Sequence, residues 1–169
     1  MITKKLAITL IILIIIAVGV LVAADLKPGS DQIIANPPAP EKIKIKVFFN
    51  NDKLDPEISC YKVFPVEREI IKTPAIARAA LAELLAGTTP TEKESGFVMI
   101  IEPGSKIQSL TIENGIAKVD FNEQLEAHPG GSCRAAAIRA QISETLKQFP
   151  SVENVIISIN GNSEDILQP

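Results

Sequence analysis

Few residues of this chain could do chemistry: two cysteines, Cys60 and Cys133, and a single histidine, His128. Cys133 stands beside Arg134 at the predicted start of a helix, a setting that lowers a thiol pKa and favours the nucleophilic thiolate. His128 is five residues away, so a Cys–His pair is conceivable. Glycines intervene, and no third group is evident to orient the pair. Two cysteines in an exported domain more often pair with each other. Three readings therefore stand: a Cys60–Cys133 disulfide, two free structural thiols, or a catalytic cysteine. The disulfide is the expectation.

Asp120, Glu123 and Glu126 form the second candidate set. Glycosidic hydrolysis needs two carboxyls at a controlled separation, but Asp120 falls on the outer face of a predicted hairpin, where turn or salt-bridge duty is expected. Arg68 lies between Glu67 and Glu69, and Arg134 and Arg139 flank a helical stripe; all three read as solvated or locally paired. Gly130-Gly131 lacks the Lys-Ser/Thr continuation of a phosphate loop. Catalytic, cofactor-binding and metal-ligating residues are expected to be absent, and the chain is not expected to be an enzyme.

These residues are placed by what precedes them. Residues 6–24 form an uncharged apolar run after Lys4 and Lys5. At about 1.5 Å per residue such a run spans roughly 30 Å, the thickness of a bilayer core. The two lysines hold residues 1–5 in the cytoplasm. The predicted arrangement is a single-pass anchor with the rest of the chain outside a bacterial membrane. The rival is a cleaved signal peptide, with Val22-Ala23-Ala24 before the cleavage point, although the run is longer than a usual signal core. Residues 25–42, with Pro28-Gly29 and Asn36-Pro37-Pro38-Ala39-Pro40, read as a Pro-rich tether reaching up to about 55 Å.

Residues 43–169 suit one domain. The net charge of −3, with both signs interspersed, argues against a nucleic-acid partner. Ile43, Ile45, Val47 and Phe49 alternate as one face of a strand. Residues 61–71 read as a second strand, confined to an edge or a bulge by Pro65. Thr73-Pro74 predicts a helix start, with Thr73 as N-cap and Pro74 in the first turn. Ile76, Ala77, Ala80, Leu81, Leu84 and Leu85 form its buried stripe, and Gly87 its stop. Residues 88–95 read as a polar connection, and 97–101 as a short strand.

Asn114-Gly115 predicts a type I′ hairpin. Pairing Glu113 with Ile116 sets Ile112 opposite Ala117, Leu110 opposite Val119 and Gln108 opposite Phe121. A second helix is predicted from Cys133 to about Phe149, capped by Ser132, with Ala135, Ile138, Ile142, Leu146 and Phe149 in one stripe. Cys133 sits opposite that stripe, near Ala136, Ala137 and Ala140. Residues 152–159 read as a central strand, because apolar residues fall on both faces. The expected fold class is α+β: a single small domain, an antiparallel or mixed sheet with two helices packed on it.

The tract Leu110-Thr111-Ile112-Glu113-Asn114-Gly115-Ile116-Ala117-Lys118-Val119-Asp120-Phe121 resembles the hairpin of the sporulation and spore germination domain, the GerMN family. So do Ser143-Glu144-Thr145-Leu146-Lys147-Gln148-Phe149-Pro150-Ser151-Val152 and Ile157-Ser158-Ile159-Asn160-Gly161, and, upstream, Glu67-Arg68-Glu69 and Ala80-Leu81-Ala82-Glu83-Leu84-Leu85-Ala86-Gly87. The resemblance implies a ring-building-motif-like module on the outer side of a bacterial membrane, with no catalytic residues. It lacks the lipobox cysteine and the second domain of some members.

The function expected from these readings is a membrane-tethered, extracytoplasmic interaction or scaffold module of the cell envelope. It would dock an envelope protein partner or copies of itself, in sporulation- or germination-type assemblies. A peptidoglycan- or glycan-binding module is the alternative, weakened by the scarcity of aromatics. A cell-wall turnover enzyme is the third reading.

Overall fold

The computed structural model describes residues 39–128 and 130–168. The anchor expected at 6–24 and most of the tether lie outside the described residues. Among the described residues no helix is long and apolar enough to cross a membrane.

Ten residues, Lys42–Asn51, form β1, whose alternation buries Ile45, Val47 and Phe49 completely while Lys44 and Lys46 stay in solvent. Its partner β2, Phe64–Ile71, runs antiparallel at the sheet edge, the position its Pro65 requires. A two-residue β3, Phe97–Val98, pairs only with Asn50 and Asn51 on the far side of β1. The hairpin β4, Ile107–Glu113, and β5, Ile116–Phe121, turns on Asn114-Gly115, both at positive φ. A parallel β6, Asn154–Ile159, then joins β5.

Two three-stranded sheets result, ordered β2-β1-β3 and β4-β5-β6, where the sequence led to one. The expected central strand is β6, but it lies at an edge and β5 is central. Ile156, the residue that suggested two-sided burial, is 41% exposed.

Three α-helices serve the sheets: α1, Ile76–Leu85; α2, Pro90–Glu94; and α3, Gly131–Lys147. A 3-10 turn spans Glu123–Glu126. Helix α1 begins two residues later than Thr73-Pro74 predicts, because the Thr73 hydroxyl accepts from the Ala75 N–H and is spent on a local turn. Helix α2 lies within the expected polar connection. Its capping box, Thr89 and Glu92 with Pro90 at the first position, is legible in the residues themselves. Helix α3 starts at Gly131 without the side-chain cap expected of Ser132 and ends at Lys147. Ala80, Leu81 and Leu84 of α1 and Ile138, Ile142 and Leu146 of α3 meet the buried faces of β1 and β5 in one core.

Two departures have clear physical causes. A bulge between Ile107 and Ser109 sets Ile107, not Gln108, opposite Phe121. An unbulged ladder would place the polar Gln108 on the apolar face. The bulge returns Ile107 to the core side and leaves Gln108 to donate to Asn160 Oδ1 at 2.8 Å. The second departure is that β3 covers only the end of β1. Thr145 of helix α3 and its C-cap Gln148 occupy the remaining edge, continuing a polar row that starts at Gln141. Lys46 N–H donates to Gln148 Oε1 (2.8 Å) and Lys46 C=O accepts from Gln148 Nε2 (2.5 Å). Phe48 N–H donates to Thr145 Oγ1 (3.1 Å). Gln141 reaches the β3 end. Side chains of a helix thus satisfy backbone groups that a neighbouring strand would otherwise bind.

Candidate functional site

The end of β1 organises the loop that follows it. Asn51 is 2% exposed, and its Oδ1 accepts from the N–H groups of Lys53 and Leu54 while Nδ2 donates to Ser95 C=O. This Asx turn folds the chain back at once. Asn50 Nδ2 donates to the carbonyls of Cys60 and Lys62, both at 3.0 Å, and holds the returning arm of the loop. Asn50 is itself fixed by Gln141, fully buried, whose Nε2 donates to Asn50 Oδ1 at 2.9 Å.

Inside the loop, Asp55 is a buried carboxylate that accepts from Ser59 N–H (2.7 Å) and Ser59 Oγ–H (3.0 Å), with Lys62 Nζ 3.5 Å away. Burial pushes its pKa up, but the Ser59 donors and the Lys62 ammonium outweigh it and hold the group below the ordinary Asp value. Cys60 and Cys133 join in a disulfide with Cα atoms 5.0 Å apart, tying the loop to the first turn of α3. With both sulfurs joined, neither is available as a nucleophile.

Between loop and helix lies an open groove of about 370 Å³, lined among others by Asp52, Ile58, Val98, Ile100, Arg134 and Ala137. The loop presents three large apolar side chains to solvent: Leu54, Ile58 and Tyr61, at 52%, 70% and 71% exposure. Ile58 has φ +51°, a conformation a β-branched residue rarely adopts. Sequence reasoning missed this site. Asn50-Asn51-Asp52 and Asp55-Pro56 signal a loop, but nothing in the chain says which side chains its folding leaves outside.

The candidate carboxylates Asp120, Glu123 and Glu126 are each engaged in hydrogen bonds that hold turns and chain segments. Asp120 Oδ1 accepts from Ser158 Oγ–H (2.5 Å) and Gly161 N–H (2.8 Å). Glu123 accepts from Asn160 Nδ2 and Glu126 from Leu167 N–H. Together the three carboxylates pin the end of β5 and the chain after it to β6 and the segment that leaves it. His128 Nδ1 lies 3.3 Å from Glu102, which also takes Arg134 at 2.9 Å. Arg139 donates to Ile166 C=O. Among the described residues no group of His, Cys, Asp and Glu is placed to hold a metal ion.

Arg68 is more enclosed than the sequence suggests. Its guanidinium grips both oxygens of Glu92 and donates to Gly87 C=O at 3.0 Å, so β2 carries the connection after α1. Burial raises the Glu92 pKa, while Arg68 and the Thr89 N–H together bring it below the ordinary 4.5. A carboxyl whose folded pKa is depressed contributes stability that is complete above its unfolded value and is lost as pH falls through the folded one. The melting temperature should therefore fall as pH drops below about 4.5. Glu92→Gln should lower the neutral-pH plateau and make the acid limb shallower, as read by calorimetry across the acid range. An acid limb of unchanged steepness would assign the acid sensitivity elsewhere.

Fold and site together define a small α+β module whose polar residues are committed to holding strand edges and one disulfide-stapled loop. The chain belongs to the Germane family, described as sporulation and spore germination, which it matches over residues 46–165. It is similar in structure to the tandem GerMN domains of the sporulation protein GerM from Bacillus subtilis, with a TM-score of 0.56 at 20% identity. That match covers 73% of this chain and 41% of the other, so the chain spans less than half of the tandem structure. The first GerMN domain of the same protein matches with a TM-score of 0.52 at 19% identity, over 72% of this chain and 85% of that one. Likeness at these identities concerns the fold. No curated protein sequence matches the chain.

Proposed function

We propose that this chain is a non-enzymatic interaction module of the bacterial cell envelope, held to the membrane by residues 6–24 with its domain outside. The observation that carries the reading is the stapled loop. A disulfide persists in an oxidising compartment, and this one staples a loop whose Leu54, Ile58 and Tyr61 stand in solvent, Ile58 at the edge of the groove. Exposed apolar side chains on a stapled loop suit docking to a protein surface, since less ordering entropy remains to be lost on binding. The relation to a sporulation protein makes an assembly of sporulation or germination type the natural setting.

The test combines topology with contact. Protease added to intact protoplasts should remove the domain and leave a short membrane stub. A photocrosslinker at Tyr61 should recover the same envelope protein, or a second copy of the chain, in repeated preparations. Ile58→Asp should reduce that adduct about tenfold or more, the loss expected when a central interface anchor is removed. Full protection of the domain, or the absence of any recurring adduct, overturns the reading. Co-sedimentation with purified sacculi in place of protein adducts would transfer the loop to a glycan-binding role.

A further inference from the structure

The chain contains two Asn-Gly pairs in turns of the same backbone form. Asn114 and Gly115 have φ of +49° and +77°, and Asn160 and Gly161 have +48° and +81°. The pairs share an intrinsic chemistry. The backbone nitrogen of the glycine can attack the side-chain carbonyl carbon of the asparagine, because no side chain on the glycine hinders the approach.

Their surroundings differ. At the second turn every reacting group is engaged. Gly161 N–H donates to Asp120 Oδ1 at 2.8 Å, Asn160 Oδ1 accepts from Gln108 at 2.8 Å, and Asn160 Nδ2 donates to Glu123 at 3.2 Å. The turn is also closed on both sides by Ile159 and Asn162, which exchange backbone bonds of 2.8 and 3.0 Å. At the first turn Asn114 is exposed. Among the described residues its side chain makes no hydrogen bond, and the Gly115 N–H has no acceptor.

We infer that Asn114 is a site of spontaneous deamidation and that Asn160, in the same dipeptide and the same turn, is protected from it by the fold. The Gly115 nitrogen gives up its proton and forms a bond to Asn114 Cγ. The Cγ–Nδ2 bond breaks and ammonia leaves with the proton balance restored. Water then opens the resulting succinimide at either carbonyl, giving aspartate or isoaspartate with no change of oxidation state.

The isoaspartyl product inserts an extra carbon into the backbone of the turn. Gly115 C=O accepts from the N–H groups of both Glu153 and Asn154, the entry to β6. The new carboxylate also adds negative charge next to Glu113, its chain neighbour, in a turn where the Glu153 carboxylate already lies against Gly115. Modification at Asn114 therefore loosens the attachment of β6 to the hairpin.

The full chain, purified in mild detergent and aged in mildly alkaline buffer, is digested with trypsin, and the deamidated forms of residues 107–118 and 148–169 are followed by mass. The Asn114 form should accumulate about tenfold or more faster than the Asn160 form, because the latter must first release several hydrogen bonds. In guanidinium the two rates should converge. Gln108→Ala, an exposed substitution, should raise the rate at Asn160 severalfold while leaving Asn114 unchanged. Equal rates in the folded chain, a ratio that survives unfolding, or no response at Asn160 to Gln108→Ala overturns the inference.

Discussion

Replacing Gln141 with Leu is expected to lower the unfolding free energy by about 4 kcal/mol, although the substitution adds apolar volume to a buried helix face. Gln141 is fully buried. Its Nε2 donates to Asn50 Oδ1 at 2.9 Å and Val98 C=O at 3.0 Å, and its Oε1 accepts from Ile100 N–H at 3.3 Å. Leucine removes the amide from all three, and among the described residues Asn50 Oδ1 and Ile100 N–H have no other protein hydrogen bond, whereas Val98 C=O keeps its place in the β1–β3 ladder. Each polar group stranded in this way costs about 1–3 kcal/mol, which outweighs the small gain in apolar burial. The loss also propagates, since Asn50 holds the Cys60 and Lys62 carbonyls that shape the stapled loop. Urea unfolding should show a lower midpoint with an unchanged slope. A cost below about 1 kcal/mol would mean that water replaces the amide at no penalty.

Opening the Cys60–Cys133 bridge is the other large effect. The cysteines are 73 residues apart, and the chain-entropy model assigns a closed loop of that length about 4 kcal/mol of stabilisation. Reduction, or the double substitution Cys60→Ser with Cys133→Ser, should lower the melting temperature by roughly 10 °C or more. Protein taken from its native compartment and denatured without reductant should offer no thiol to alkylation. Full alkylation of both cysteines would remove the bridge and return Cys133, beside Arg134 at a helix start, as a candidate reactive thiol. The two experiments probe one device from opposite ends, because Gln141 positions through Asn50 the same loop that the bridge staples to α3.

Local chemistry made much of the fold legible. The alternation of Ile43, Ile45, Val47 and Phe49 specifies a half-buried strand whatever surrounds it. Pro65 restricts its strand to an edge because it has no N–H to donate. Asn114-Gly115 sets the hairpin and, near the turn, its register. The spacing of Leu81 and Leu84, and of Ile138, Ile142 and Leu146, sets the buried helix faces. These are consequences of periodicity, of one missing donor and of one permissive backbone. They need no knowledge of distant neighbours.

The remainder depended on residues far apart in the chain. A bulge at Gln108 arises because Ile107 must face the core and Asn160 offers a partner on the other side. The splitting of the strands into two sheets follows from Thr145 and Gln148 taking the edge of β1 while Gln141 ties β3 to the Asn50 side chain, and nothing in a helical stripe announces which strand its polar members will serve. The roles of Asp120, Glu123 and Glu126 were decided by where β6 and the chain beyond it return. For Cys60 and Cys133 the sequence by itself left pairing, free thiols and catalysis open, since spacing along a chain does not measure distance across a fold. Only the packing of α3 against β1 places their Cα atoms 5.0 Å apart and sets Leu54, Ile58 and Tyr61 out in solvent. Exposure and proximity are properties of the assembled core, and periodicity carries no information about either.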